Sequence, residues 1–152
     1  RAHARVAARV AAHVSPPATM AAPGEAAFFA NAKRITNGGT NAEAYWSFDN
    51  TRLTFQAIRA PYNTTHPCDL IYTMNAADGS DVTLRSGARG RTTCSYWYPD
   101  GASLLFSSTM SDAPAWCPPA PDQRFGYTWP LYKHMDVYRT RVDAHPPHFE
   151  RL

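Results

Sequence analysis

Ala42-Glu43-Ala44-Tyr45-Trp46-Ser47-Phe48-Asp49-Asn50-Thr51-Arg52-Leu53-Thr54-Phe55 sets the architecture, because its pattern returns as Tyr96-Trp97-Tyr98-Pro99-Asp100-Gly101-Ala102-Ser103-Leu104-Leu105-Phe106. Trp46 and Trp97, Asp49 and Asp100, and Phe55 and Phe106 are each offset by 51 positions, and self-similarity at a fixed period marks a repeat architecture. Each copy runs from an aromatic stretch into a four-residue turn and out into a second apolar stretch. Pro99 presets φ, Asp100 bonds its own backbone and Gly101 tolerates positive φ, so the turn joins two strands of a hairpin.

The segments after each hairpin also repeat. Residues 69–74 read as a third strand, 75–80 as a turn and 81–85 as a fourth strand; in the second copy the counterparts are 135–140, 143–147 and 148–152. Tyr72 and Tyr138 are 66 positions apart, so the second unit carries an insertion between its second and third strands. An all-β chain of two four-stranded antiparallel units, each built from short consecutive strands, has the signature of propeller blades.

Arg34-Ile35-Thr36, the run Ala44-Tyr45-Trp46-Ser47-Phe48-Asp49 and the run from Ile71 to Ser80 resemble the TolB-type β-propeller repeat. Its blades combine an Arg-x-Leu-Thr strand, a Trp-Ser-Pro-Asp-Gly hairpin and an Ile-Tyr-x-Met-Asn-Ala-Asp-Gly strand and turn. Phe48 and Asn50 stand where that pattern has Pro and Gly, which weakens the first turn. Residues 90–94 and 126–132 resemble a TolB-like subgroup of secreted bacterial proteins with extra cysteines. The resemblance implies a partial propeller: an N-terminal arm at 1–22, helical or extended, a lead-in strand and first blade at 23–88, and a second blade at 89–152 with a long loop insertion at 109–134. Blades of this kind stack through Tyr45, Trp46, Phe55, Tyr72, Tyr96, Trp97, Phe106 and Tyr138. Two blades do not close a ring and leave open faces and edges, so the expected partners are other copies of the chain or other protein subunits.

Composition is that of one ordinary globular domain: 44% hydrophobic, 18% charged and a net charge of +3. The surplus positive charge is scattered, which argues against nucleic acid as a partner. No run of eighteen apolar residues is present, so no membrane span is expected. Residues 1–22 are rich in Arg and Ala and hold no acidic residue, a composition shared by organelle-targeting segments and by plain N-terminal arms.

In a four-stranded antiparallel blade, the loop entering strand one and the loop joining strands two and three share one end. That end gathers residues 37–41, 57–68, 86–93 and 109–134, with Cys68, Cys94 and Cys117 at or beside it. A Cys68–Cys94 disulfide would tie the two blades together; Cys117 can pair with either or with another chain, and three reduced thiols are the alternative. Asn63-Thr64-Thr65 is a glycosylation sequon, and with the cysteines it tilts the location towards an extracellular or periplasmic compartment, the alternative being organellar. The Pro-rich insertion carries Trp116, Phe125, Tyr127, Trp129, Tyr132 and His134, an aromatic set suited to sealing the blade, contacting a subunit or binding glycan.

No nucleophile elbow, phosphate loop or metal-ligand helix is present. The recurring aspartates sit at turns and strand starts, where their work is hydrogen bonding. Neither a cofactor nor an enzymatic activity is expected. The expected function is a structural or protein-interaction module; the alternatives are a carbohydrate-binding or carbohydrate-processing propeller fragment and an accessory subunit of an organellar complex.

Overall fold

A computed structural model describes residues 24–29, 31–62, 67–111, 117–118, 122, 124, 126, 128 and 132–152. The arm expected at 1–22 and the candidates Asn63, Trp116, Phe125, Tyr127 and Trp129 lie outside these residues. The chain divides into two compact units, one extending to Arg34 and the other spanning Ile35–Leu152. In the first, Gly24 at φ 98° leads into a 3-10 turn, Glu25–Ala27. The Phe28 amide closes it by donating to the Glu25 carbonyl at 2.8 Å. No helix among the described residues is long and apolar enough to cross a membrane.

The second unit holds eight strands: β1 (Thr40–Trp46), β2 (Arg52–Ile58), β3 (Leu70–Asn75), β4 (Thr83–Leu84), β5 (Thr92–Trp97), β6 (Ser103–Ser108), β7 (Asp136–Arg141) and β8 (Phe149–Arg151). They form two four-stranded antiparallel sheets in the orders β1-β2-β3-β4 and β5-β6-β7-β8. Both are meanders, in which each strand pairs with the next along the chain. The lead-in at Arg34-Ile35-Thr36 is not a strand; Ile35 instead packs against the core of the first sheet. Gly79, at φ 73°, passes so close that an added Cβ would stand 1.9 Å from the Ile35 carbonyl oxygen.

The 51-residue offset extends into the backbone. In β1 the register slips between Ala42 and Tyr45, and in β5 between Thr93 and Tyr96. Each slip inserts one extra residue, a β-bulge, and the residues within it, Glu43 at φ 51° and Cys94 at φ 49°, both adopt the left-handed conformation. The hairpin turns match as well. Asn50 at φ 59° does in the first turn what Gly101 at φ 65° does in the second, and the amide of each donates three residues back, to Ser47 at 2.9 Å and to Tyr98 at 3.0 Å. Asn tolerates this conformation better than other non-glycine residues, which is why the first turn forms without its glycine.

Each sheet carries the same apolar face. Phe55 lies opposite Tyr72 across β2 and β3 with ring centroids 5.8 Å apart; Phe106 lies opposite Tyr138 across β6 and β7 at 6.0 Å. Phe55, Tyr72, Phe106 and Tyr138 are all buried. Leu53, Phe55, Ala57, Leu70, Tyr72 and Met74 form one core cluster, with Ile35, Tyr62 and Leu84 against it. Ile71, Phe106, Met110 and Tyr138 form the other, with Phe149 against it.

Candidate interaction faces

Ile71 belongs to the first sheet, yet it packs in the core of the second. Strand alternation explains this: Ile71 lies opposite Gln56 and points away from Leu70 and Tyr72. The two sheets therefore stack head to tail. The apolar face of the second, with Trp97, Leu104, Phe106 and Tyr138, lies on the opposite face of the first, with Thr54, Gln56 and Ile71.

Polar pairs fix the register of this stack. Thr54 Oγ1 and Ser95 Oγ share a buried hydrogen bond of 2.7 Å. Gln56 Oε1 accepts from Thr93 Oγ1 at 2.8 Å and from the Cys94 amide at 3.2 Å, so the bulge of β5 is satisfied by the neighbouring sheet. The Asp69 carbonyl accepts from the Thr92 amide at 3.1 Å and from Thr92 Oγ1 at 2.9 Å. The Asp69 carboxylate meets Arg91 at 3.3 Å. Burial pushes the Asp69 carboxyl above its ordinary range, and Arg91 offsets only part of that. Arg85 Nη1 donates to the Val142 carbonyl, and Tyr45 meets Tyr96 edge-on at 5.6 Å.

The repeat then exposes what the stack does not cover. Trp97 is 3% exposed, whereas its counterpart Trp46, opposite Leu53 on the same kind of face, is 55% exposed. Ile71 is fully buried, whereas Val137, 66 positions on, is 40% exposed. Two of the residues expected among the packing aromatics, Trp46 and Tyr96, are thus half-exposed. Trp46 lies at the rim of a face on which, among the described residues, no further sheet lies, although Phe55, Leu70, Tyr72 and Met74 on that face are buried, and Tyr96, itself 50% exposed, meets Tyr45 and Phe48 of the first repeat edge-on. Tyr45 is half-buried, its hydroxyl donating to Glu43 Oε2 at 2.8 Å.

Of the pairings left open, the disulfide is not Cys68–Cys94 but the alternative in which Cys117 pairs with Cys68. Cys68, fully buried, is bonded to Cys117, with Cα atoms 5.5 Å apart. Cys94 is a free, exposed thiol, because its left-handed place in the bulge sends its side chain outward. Of the loop candidates, Tyr132 is half-buried and His134 exposed. Ile71 and Val137 were missed at the level of sequence, although the 66-residue offset that relates Tyr72 to Tyr138 pairs them too. Among the described residues no group of three or more His, Cys, Asp or Glu could hold a metal ion. Neither protein-family models nor curated proteins match the chain.

Proposed function

We propose that this chain comprises two successive blades of a TolB-like propeller and acts as a non-enzymatic interaction module that receives further sheets of its own kind. One observation carries the reading: the residues that make the internal contact, Ile71 and Trp97, have repeat counterparts, Val137 and Trp46, that stand exposed on the two outer faces. A head-to-tail contact is heterologous, so the surface used on one side differs from that used on the other, and stacking propagates until it closes a ring or extends as a filament. The next sheet comes from a second copy of the chain or from other blades of the same assembly. The Cys68–Cys117 disulfide supports an oxidising, extracellular or periplasmic location.

Light scattering across a concentration series tests this. Mass should rise in multiples of 16.8 kDa, and Val137→Glu should return the chain to monomer without unfolding it. A wild-type chain that stays monomeric at high concentration would contradict the reading.

A further inference from the structure

In the loop after the second strand of each sheet the repeat fails, and among the described residues the failure leaves buried polar groups without partners. In the second sheet the Tyr138 hydroxyl is hydrogen-bonded to Ser111 Oγ, and Met110 fills the space beside it, 5% exposed. Fifty-one positions earlier the counterparts are Ala60 and Arg59. Alanine cannot bond the equivalent hydroxyl of Tyr72. That oxygen is buried without a partner, in a residue only 3% exposed, and so is Nη1 of Arg59.

Both residues line a cleft of about 490 Å³, with Tyr62, Val82, Leu84 and Pro147 among its other walls. The guanidinium lies over the Phe55 and Tyr72 rings, 6.0 and 5.8 Å from their centroids. Gly39, at φ 76°, presses against the same residue: a Cβ there would stand 2.8 Å from the Arg59 Cβ. Among the described residues no carboxylate pairs with Arg59, and every other residue lining the cleft is uncharged. A guanidinium nitrogen buried beside apolar walls without a partner is costly unless an anion completes it.

We infer that this cleft binds a small organic carboxylate, its oxygens taken by Arg59 and the Tyr72 hydroxyl and its apolar body lying against Val82, Leu84 and Pro147. The cleft volume is that of an ordinary small-molecule site, and a guanidinium fork matches a carboxylate. Burial pushes the Tyr72 hydroxyl above its ordinary range, against the pull of Arg59, so it stays protonated and able to donate.

Benzoate, benzamide and inorganic phosphate titrated into the full chain, followed by amide chemical shifts, provide the test. Benzoate should bind saturably and at least about tenfold more tightly than the other two, the scale of one charged hydrogen bond. Arg59→Gln should weaken benzoate about tenfold or more. Tyr72→Phe should weaken it severalfold while leaving the free protein as stable or more so, since the hydroxyl removed has no partner. Ala60→Ser, which restores the partner found in the second repeat, should also lower the affinity. Benzamide binding as tightly as benzoate, phosphate binding more tightly, no saturable benzoate binding, or Tyr72→Phe and Ala60→Ser both binding like wild type would each overturn the site.

Discussion

The two sheets share a backbone plan and differ in what surrounds them. Both have a bulge in the first strand, an Asp turn after it and a stacked Phe–Tyr pair across the second and third strands. Yet Trp97 is buried and Trp46 is not, and the Tyr138 hydroxyl bonds Ser111 while the Tyr72 hydroxyl has no hydrogen-bond partner among the described residues. The common features are local consequences of sequence. The differences arise from packing, which depends on which face has a neighbour and on single substitutions such as Ala60 for Ser111.

The largest effect expected from that contrast is at the tryptophans. Trp97→Ala should cost about 3–5 kcal/mol, the range for truncating a large buried aromatic, whereas Trp46→Ala in the monomer should cost less than about 1 kcal/mol. Urea midpoints measure both, and equal losses would dissolve the distinction between the buried and the exposed tryptophan.

Next comes the disulfide. Closing a separation of 49 residues is worth up to about 4 kcal/mol by the loss of unfolded-chain entropy. Cys117→Ser should approach that loss, while Cys94→Ser should change thermal stability little. Smaller is the coupling between the sheets. A double-mutant cycle on Thr54→Val and Ser95→Ala should return an interaction of about 1 kcal/mol, since the bond is buried and each hydroxyl satisfies the other.

Smallest is the acid response of the turns. Hydrogen bonds from Ser47, then from the Thr51 amide and hydroxyl, hold the Asp49 carboxyl below its ordinary range, and Arg52 does the same for Asp81. A carboxylate depressed in the folded state adds stability that is complete above its unfolded value of about 3.9 and is lost as pH falls through the folded value. Thermal midpoints should therefore fall on acidification below about pH 4, and Asp49→Asn should flatten part of that limb. An unchanged acid limb in the variant would remove the turn from the explanation.

Much of the fold was legible because its signals are local. Trp-Tyr-Pro-Asp-Gly specifies a turn with its own chemistry, the 51- and 66-residue offsets place strands to within a residue or two, and Asn50 substitutes for Gly101 by the same backbone rule. What was not legible depends on neighbours. Cys68 and Cys94 are closer in sequence than Cys68 and Cys117, but the bulge that turns Cys94 outward is set by register with β6 and carries no glycine to announce it. Exposure of Trp46 and Tyr96 could not be read from an aromatic pattern that is identical in both copies. Arg59 was overlooked because an arginine after a strand is ordinary; only its alignment with Met110 makes it unusual.

A mixing experiment tests the head-to-tail stack most directly. Trp46→Arg blocks one outer face and Val137→Glu the other, so each variant alone should be monomeric by light scattering. Mixed in equal amounts they retain one intact pair of complementary faces, and head-to-tail stacking of sheets predicts a dimer of two 16.8 kDa chains. A mixture that remains monomeric while the wild type associates would show that the two faces do not meet each other, and the stack would have to be abandoned.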